Sequence, residues 1–171
     1  MPRRLITVTG LDRPGLVAAV TRALAEEGAD LEDASMTRLE GNFAMMLICR
    51  GGTDHPLRER LRHIEQELNL HIHLEPAADS PVILQPNAFI SAIGPNRTGI
   101  VAAMSEIVAR HGGNILEMST QLLSRTAVPV YVVRLEACVP REWSKVEKEL
   151  ARVGREMSIE TRLEHLETMD V

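Results

Sequence analysis

Aromatic residues are scarce in this chain of 171 residues, which holds two Phe, one Tyr and one Trp. A sheet that stacks nucleic-acid bases needs more than that. Positive charge is short as well, with 19 Lys and Arg against 24 Asp and Glu and a net charge of -5. Proteins that grip phosphate backbones unaided show the opposite balance, so direct nucleic-acid binding is not expected. Cys49 and Cys138 form no Cys-x-x-Cys pair and lie in or beside apolar runs. Both read as buried free thiols. The longest apolar run, residues 43–49, falls far short of the roughly 20 residues a membrane helix needs. The basic start Met1-Pro2-Arg3-Arg4 meets Asp12-Arg13-Pro14 before any signal-peptide core develops, so the cytoplasm is the expected compartment.

What is present is an ordinary globular composition, 44% hydrophobic and 25% charged. This length suits one domain or two small ones, and an internal repeat decides for two. A constant offset of 84 carries Gly10 onto Gly94, Arg13 onto Arg97 and Gly15 onto Gly99. It also carries Val17-Ala18-Ala19 onto Val101-Ala102-Ala103, Gly28 onto Gly112, Ser35 onto Ser119 and Pro56 onto Pro140. The expected organisation is a first domain over 1–76, a linker over 77–86 and a second domain over 87–171.

Each half reads as strand, helix, strand, strand, helix, strand. The first strands are expected over 4–10 and 88–94. Leu16, Val17, Val20 and Leu24 then form one helical stripe, as do Ile100, Val101, Met104, Ile107 and Val108. Gly28 and Gly112 suit left-handed positions after those helices. Strands over 31–39 and 43–50 flank the turn Glu40-Gly41-Asn42, with counterparts over 115–123 and 127–136. Leu57, Leu61, Ile64 and Leu68 mark one second helix, and Trp143, Val146, Leu150 and Val153 the other. Last strands are expected over 71–75 and 158–163. The fold class is therefore α+β, two ferredoxin-like βαββαβ repeats, each a four-stranded antiparallel sheet with both helices on one face. Apolar residues on both faces of the third strands predict that the bare sheet faces are covered, by the sister repeat or by another subunit. Pro129 lacks the N–H a central strand requires, which predicts a strand start or a bulge there.

The two loops Asp12-Arg13-Pro14-Gly15 and Asn96-Arg97-Thr98-Gly99 lead from a strand into a helix N-terminus. One reading is local: Asp or Asn caps the turn, Gly lets the backbone pass, and Arg points to water. The other is that the exposed N–H groups and positive helix end receive a carboxylate. His71 and His73 share a strand face but lack a third metal ligand nearby, and Ser35 and Ser119 lack a recurring His base. No phosphate loop or dinucleotide fingerprint is present. The chain is not expected to be an enzyme or to hold a metal or cofactor.

Asp12-Arg13-Pro14-Gly15-Leu16 after a strand, in a βαββαβ unit of this length, resembles the ACT domain, an amino-acid-sensing module. The stretch from Gly28 to Ser35, followed by Gly41-Asn42-Phe43, resembles the glycine cleavage system transcriptional repressors and their tandem ACT relatives. The resemblance implies a ligand held between two modules, by the loop of one and the start of the second strand of its neighbour. Its polar positions fall on Asp12 and Asn96, and eighteen residues later on Asp30 and Asn114. Their flanks are Arg13, Gly15, Leu16 and Leu31 in the first copy, and Arg97, Gly99, Ile100 and Ile115 in the second. Asn both donates and accepts whereas ionised Asp only accepts, so Asn96 and Asn114 are expected to dominate binding. The second copy departs from the family loop at Thr98, where Pro is usual, and at Pro95 in place of Leu11. The implied function is non-catalytic regulation: a small amino acid, glycine or serine, alters affinity for a protein partner such as a DNA-binding regulator, in a dimer. A ligand-free interaction module is the alternative, favoured by the two carboxylates of the first copy.

Overall fold

The computed structural model describes residues 1–78, 84–123, 129–140 and 143–166. The chain divides into two units, Met1–Pro81 and Val82–Val171. Residues 79–83 of the expected linker lie outside the described residues.

The first unit runs β1 (Arg3–Leu11), α1 (Leu16–Glu26), β2 (Ala29–Leu39), β3 (Asn42–Gly51), α2 (Asp54–Glu67) and β4 (Leu70–Pro76). Its antiparallel sheet has the order β2-β3-β1-β4. The second unit repeats this with β5 (Ala88–Pro95), α3 (Ile100–Arg110), β6 (Asn114–Leu123), β7 (Val130–Cys138), α4 (Trp143–Met157) and β8 (Glu160–His165), in the sheet order β6-β7-β5-β8. The βαββαβ reading therefore holds in both halves.

Period-two alternation turns Ile6, Val8, Phe43, Met45, Leu47 and Cys49 inward, against Leu16, Val20 and Leu24 of α1 and Leu57, Leu61 and Ile64 of α2. In the second unit Ile90, Ala92, Val133 and Leu135 meet Ile100, Met104 and Ile107 of α3 and Val146, Leu150 and Val153 of α4. Each repeat thus has its own core under its own helix pair. Arg4 is the one buried charge among the described residues, 3% exposed. Its guanidinium donates to the Gly51 and Gly52 carbonyls and to Asp54 at the start of α2, which satisfies the charge as burial demands.

The repeated glycines have physical causes. A Cβ on Gly94 would lie 2.9 Å from Ile159 Cα, and one on Gly10 would lie 2.6 Å from Leu70 Cδ2. In both repeats the end of the first strand passes tightly against the start of the last. Gly28 and Gly112 are left-handed, at φ 68° and 72°, as expected after a helix C-terminus. The first hairpin has a two-residue turn, Glu40-Gly41, with φ 46° and 80°, flanked by the pair Leu39 and Asn42. Two positive φ values make it the type I′ turn that suits strand twist. Asn42 belongs to β3 and not to the turn.

The offset of 84 does not run through the whole repeat. Ile6 pairs with Leu47 while Ile90 pairs with Leu135, so β3 and β7 correspond at 88. Ile6 also pairs with Leu74 and Ile90 with Leu163, so the last strands correspond at 89. The match of Pro56 with Pro140 is thus fortuitous. Pro56 lies in the first turn of α2, whereas Pro140 precedes α4. Four of the five extra residues lie in the second hairpin, and the fifth lies between β7 and α4. Residues 124–128 of that hairpin are outside the described residues, as is the expected strand start at Ala127. The strand begins at Val130, and Pro129 immediately precedes it, so no ladder bond is lost. Ser158, expected in the last strand, instead turns with φ 56° before β8 begins at Glu160.

The outer sheet face of the second unit keeps the expected apolar surface at one end, at Ile93, Leu123, Val130 and Val132, and is polar over the rest. There the rows Glu117–Glu136–Phe89–Glu164 and Ser119–Arg134–Ser91–Arg162 run across all four strands. The apolar positions of β7 beyond Val132 turn inward by the same alternation.

Candidate functional site

The strand–helix loops are geometrically the same in both repeats. Gly15 is the N-cap of α1 with φ 95°, and Gly99 is the N-cap of α3 with φ 94°. Neither cap makes a side-chain hydrogen bond. The local reading of Asp12 and Asn96 as caps is therefore wrong, because glycine occupies that position. A Cβ on Gly15 would meet nothing within 4 Å. The glycine is demanded by its left-handed φ and not by crowding. Ala19 N–H bonds Gly15 O and Ala103 N–H bonds Gly99 O, each at 2.9 Å. The amides that precede Ala19 and Ala103 have no partner within the helix. They form the positive end of the helix macrodipole, suited to an anion.

Around this common frame the side chains differ. Asp12 N–H donates to Gly41 O at 2.8 Å, and its carboxylate takes Arg38 of β2 at 2.6 Å. Arg13 does not simply point to water: it donates to Leu68 O at the C-terminus of α2, where a cation complements the dipole. Arg97, Asn96 and Thr98 are exposed. Leu16 and Ile100 are core side chains, each 2% exposed, so only their backbones face the loop.

Asp30 and Asn114 stand exposed at the starts of β2 and β6. Asp30 pairs with Arg50, while the far end of β2 pairs with Asn42, the neighbour of Leu11. At about 3.3 Å per residue, Asp30 and the Asp12 loop lie roughly 30 Å apart, at opposite ends of one sheet. The same holds for Asn114 and Asn96. One repeat does not bring its two polar positions together. Leu31 is exposed and Ile115 is half-buried; both sit just before a bulge that leaves Glu32 and Leu116 out of register.

That bulge carries an ion cluster that sequence reading missed. Glu32 accepts from Arg3 at 2.6 Å and from Arg50. These hydrogen bonds, Arg3's first, hold its carboxyl below the usual range. Only register, not residue spacing, brings positions 3, 32 and 50 together. In the second repeat Asn87 replaces Arg3 and makes two bonds to Val139, at 3.0 and 2.8 Å. Cys49 is buried, and burial pushes its thiol up, away from thiolate chemistry.

A cavity of about 510 Å³ in the first unit opens on the outer sheet face and is lined by Thr9, Thr37, Leu39, Asn42, Ala44 and His71, among others. None of the predicted site residues lines it. No group of three or more His, Cys, Asp or Glu fit to hold a metal occurs among the described residues.

The matched family model is the ACT domain, over residues 3–75 and again over 88–164. The chain belongs to the ACT domain family. It is a tandem of two such domains, a regulatory fold. The UPF0237 protein of Methanopyrus kandleri is 42% identical over 76 residues, which are 84% of that protein and 42% of this chain. A structure of an unknown protein from Galdieria sulphuraria superposes with TM-score 0.82 at 26% identity, over 97% of this chain and 99% of the other. A candidate glycine cleavage system transcriptional repressor superposes with TM-score 0.69 at 15% identity, over 98% of both chains. That likeness is one of fold. No helix among the described residues is long and apolar enough to cross a membrane.

Proposed function

We propose that this ACT tandem is a non-catalytic regulator that binds a small amino acid, glycine or serine. The ligand lies against the strand–helix loop of one module and the second-strand start of a neighbouring module. The observation that carries this is the distance of roughly 30 Å between the two polar positions of a single sheet. A ligand-sized site that uses both Asn96 and Asn114 must therefore draw on two modules. Because both residues belong to the second repeat, the neighbouring module is that repeat in a second copy of the chain, in a homodimer. The uncapped N-termini of α1 and α3 supply donors for the ligand carboxylate. A site built from two modules binds only one arrangement of them, so ligand shifts their populations and with them the affinity for a partner. The partner class is a DNA-binding regulator in the cytoplasm, and glycine cleavage is the pathway suggested by the resemblance.

A thermal-shift screen of the full chain against the twenty amino acids tests this. A ligand at a hundred times its dissociation constant adds about 2.7 kcal/mol. A selective shift with glycine or serine, lost in Asn114→Ala and in Asn96→Ala, is the expected result. If both variants keep full affinity, the assignment of the site is wrong. A second reading, a ligand-free interaction module, is favoured in the first repeat by the Arg38–Asp12 ion pair. A flat screen would make it the reading for the whole chain.

A further inference from the structure

We infer that Arg38 decides which repeat takes ligand: its guanidinium occupies, at the Asp12 loop, the place an amino acid's ammonium would take. Each chain then binds one amino acid, through the Asn96 loop. This rests on the amino-acid reading of the loops and adds their inequivalence. The Arg38–Asp12 contact is 2.6 Å long, and Arg38 is 67% exposed while Asp12 is 19% exposed. The arginine therefore lies over the carboxylate from the solvent side. The Asp12 N–H is also engaged, by Gly41 O at 2.8 Å, which holds the loop mouth against the β2–β3 turn.

Register identifies the equivalent of Arg38 in the second repeat. Arg38 pairs with Phe43, which pairs with Gly10. Leu122 pairs with Tyr131, which pairs with Gly94. Arg38 and Leu122 are thus the same position, and Leu122, though 47% exposed, carries no charge. The two substitutions go together: Asp with Arg in one repeat, Asn with Leu in the other. A tethered cation competes with a free one at an effective concentration in the millimolar range or above, so an incoming ammonium must displace Arg38 to reach Asp12. Among the described residues Asn96 has no such competitor, and its amide meets either end of a zwitterion.

Calorimetric titration of glycine, and separately of serine, into the full chain tests this. The wild type is expected to bind one ligand per chain, Asn96→Ala none, and the graft Asp12→Asn with Arg38→Leu two. Adding Asn96→Ala to the graft should return the count to one. Single Arg38→Ala, with its thermal unfolding recorded, guards against a graft that fails to fold: its first loop should gain up to about fivefold in affinity, the most an exposed ion pair is worth. Two ligands on the wild type, a graft that stays at one, or a loss of binding on removing Arg38 would each overturn the inference while leaving the amino-acid reading intact. A graft that binds one ligand when the wild type binds none would support the role of Arg38 and overturn the reading for the second loop. Absence of binding in both overturns both.

Discussion

Arg60 on α2 bonds Glu26 at the end of α1 at 2.5 Å, and the second repeat makes the same bond with its signs exchanged. Glu149 of α4 accepts from Arg110 and, at 3.0 Å, pairs with His111 at the end of α3. The offsets of 84 and 89 make Glu26 equivalent to Arg110 and Arg60 equivalent to Glu149. Two repeats with near-identical backbones risk exchanging helices while folding. With reversed polarity, α1 docked beside α4 would set Glu26 and Glu27 against Glu149, and α3 beside α2 would set Arg110 against Arg60. The exchange therefore disfavours the wrong pairing.

Arg60→Glu should destabilise the first repeat by about 1 kcal/mol, the upper range for an exposed pair turned to repulsion. Adding Glu26→Arg should restore most of that loss. Thermal unfolding followed by far-ultraviolet circular dichroism reads both changes. Equal stability of all three proteins would show that the pair contributes nothing.

Gly94→Ala should cost more than Gly10→Ala. The new Cβ at 94 meets Ile159 Cα, which is backbone, whereas the Cβ at 10 meets the movable end of Leu70. Overpacking of this kind costs about 1–3 kcal/mol, with the upper end expected at 94 and the lower at 10. Trp143 is the single tryptophan, so its fluorescence reports the second repeat alone. Urea titration by fluorescence should show the loss for Gly94→Ala and none for Gly10→Ala, which circular dichroism should detect instead.

Acid should weaken both repeats through identified carboxylates. Hydrogen bonds from Arg3, then Arg50, lower Glu32, and the His111 hydrogen bond, ahead of Arg110, lowers Glu149. A carboxyl lowered on folding stabilises the fold fully above its unfolded value and loses that contribution as pH falls through the folded one. The window therefore opens below about pH 4.5, the ordinary glutamate value. Glu32→Gln should flatten the acid limb of the first repeat's unfolding curve, and Glu149→Gln that of the second. An unchanged acid limb in Glu149→Gln, read by Trp143 fluorescence, would refute the assignment there.

The elements were legible because they are written in local periodicity: the stripe Leu16, Val20, Leu24 and the alternation Met45, Leu47, Cys49 each mark one buried face. The duplication was legible because Gly10, Gly15 and Gly28 answer to backbone demands that both repeats share. The shifts in offset were hidden, since a few residues added in the second hairpin and between β7 and α4 disturb neither core. Side-chain pairing across strands was also hidden. Arg38 meets Asp12, and Arg3 meets Glu32, only after register has folded distant positions together.

Asn114→Asp tests the proposed site with almost no change of shape. It gives the second repeat the carboxylate that Asp30 gives the first, at an exposed strand start where folding should not notice. On the proposed reading the change removes a donor and sets a negative charge where the Asn114 amide meets ligand. A lost hydrogen bond to a charged group is worth about 1.5–3 kcal/mol, which predicts a fall in glycine or serine affinity of roughly 10- to 150-fold. Because Asn114 lies at the opposite end of its sheet from Asn96, an equal loss in Asn96→Ala would mean that residues from two modules act on one ligand. Affinity that falls in one variant and not in the other would confine the site to a single end of one repeat.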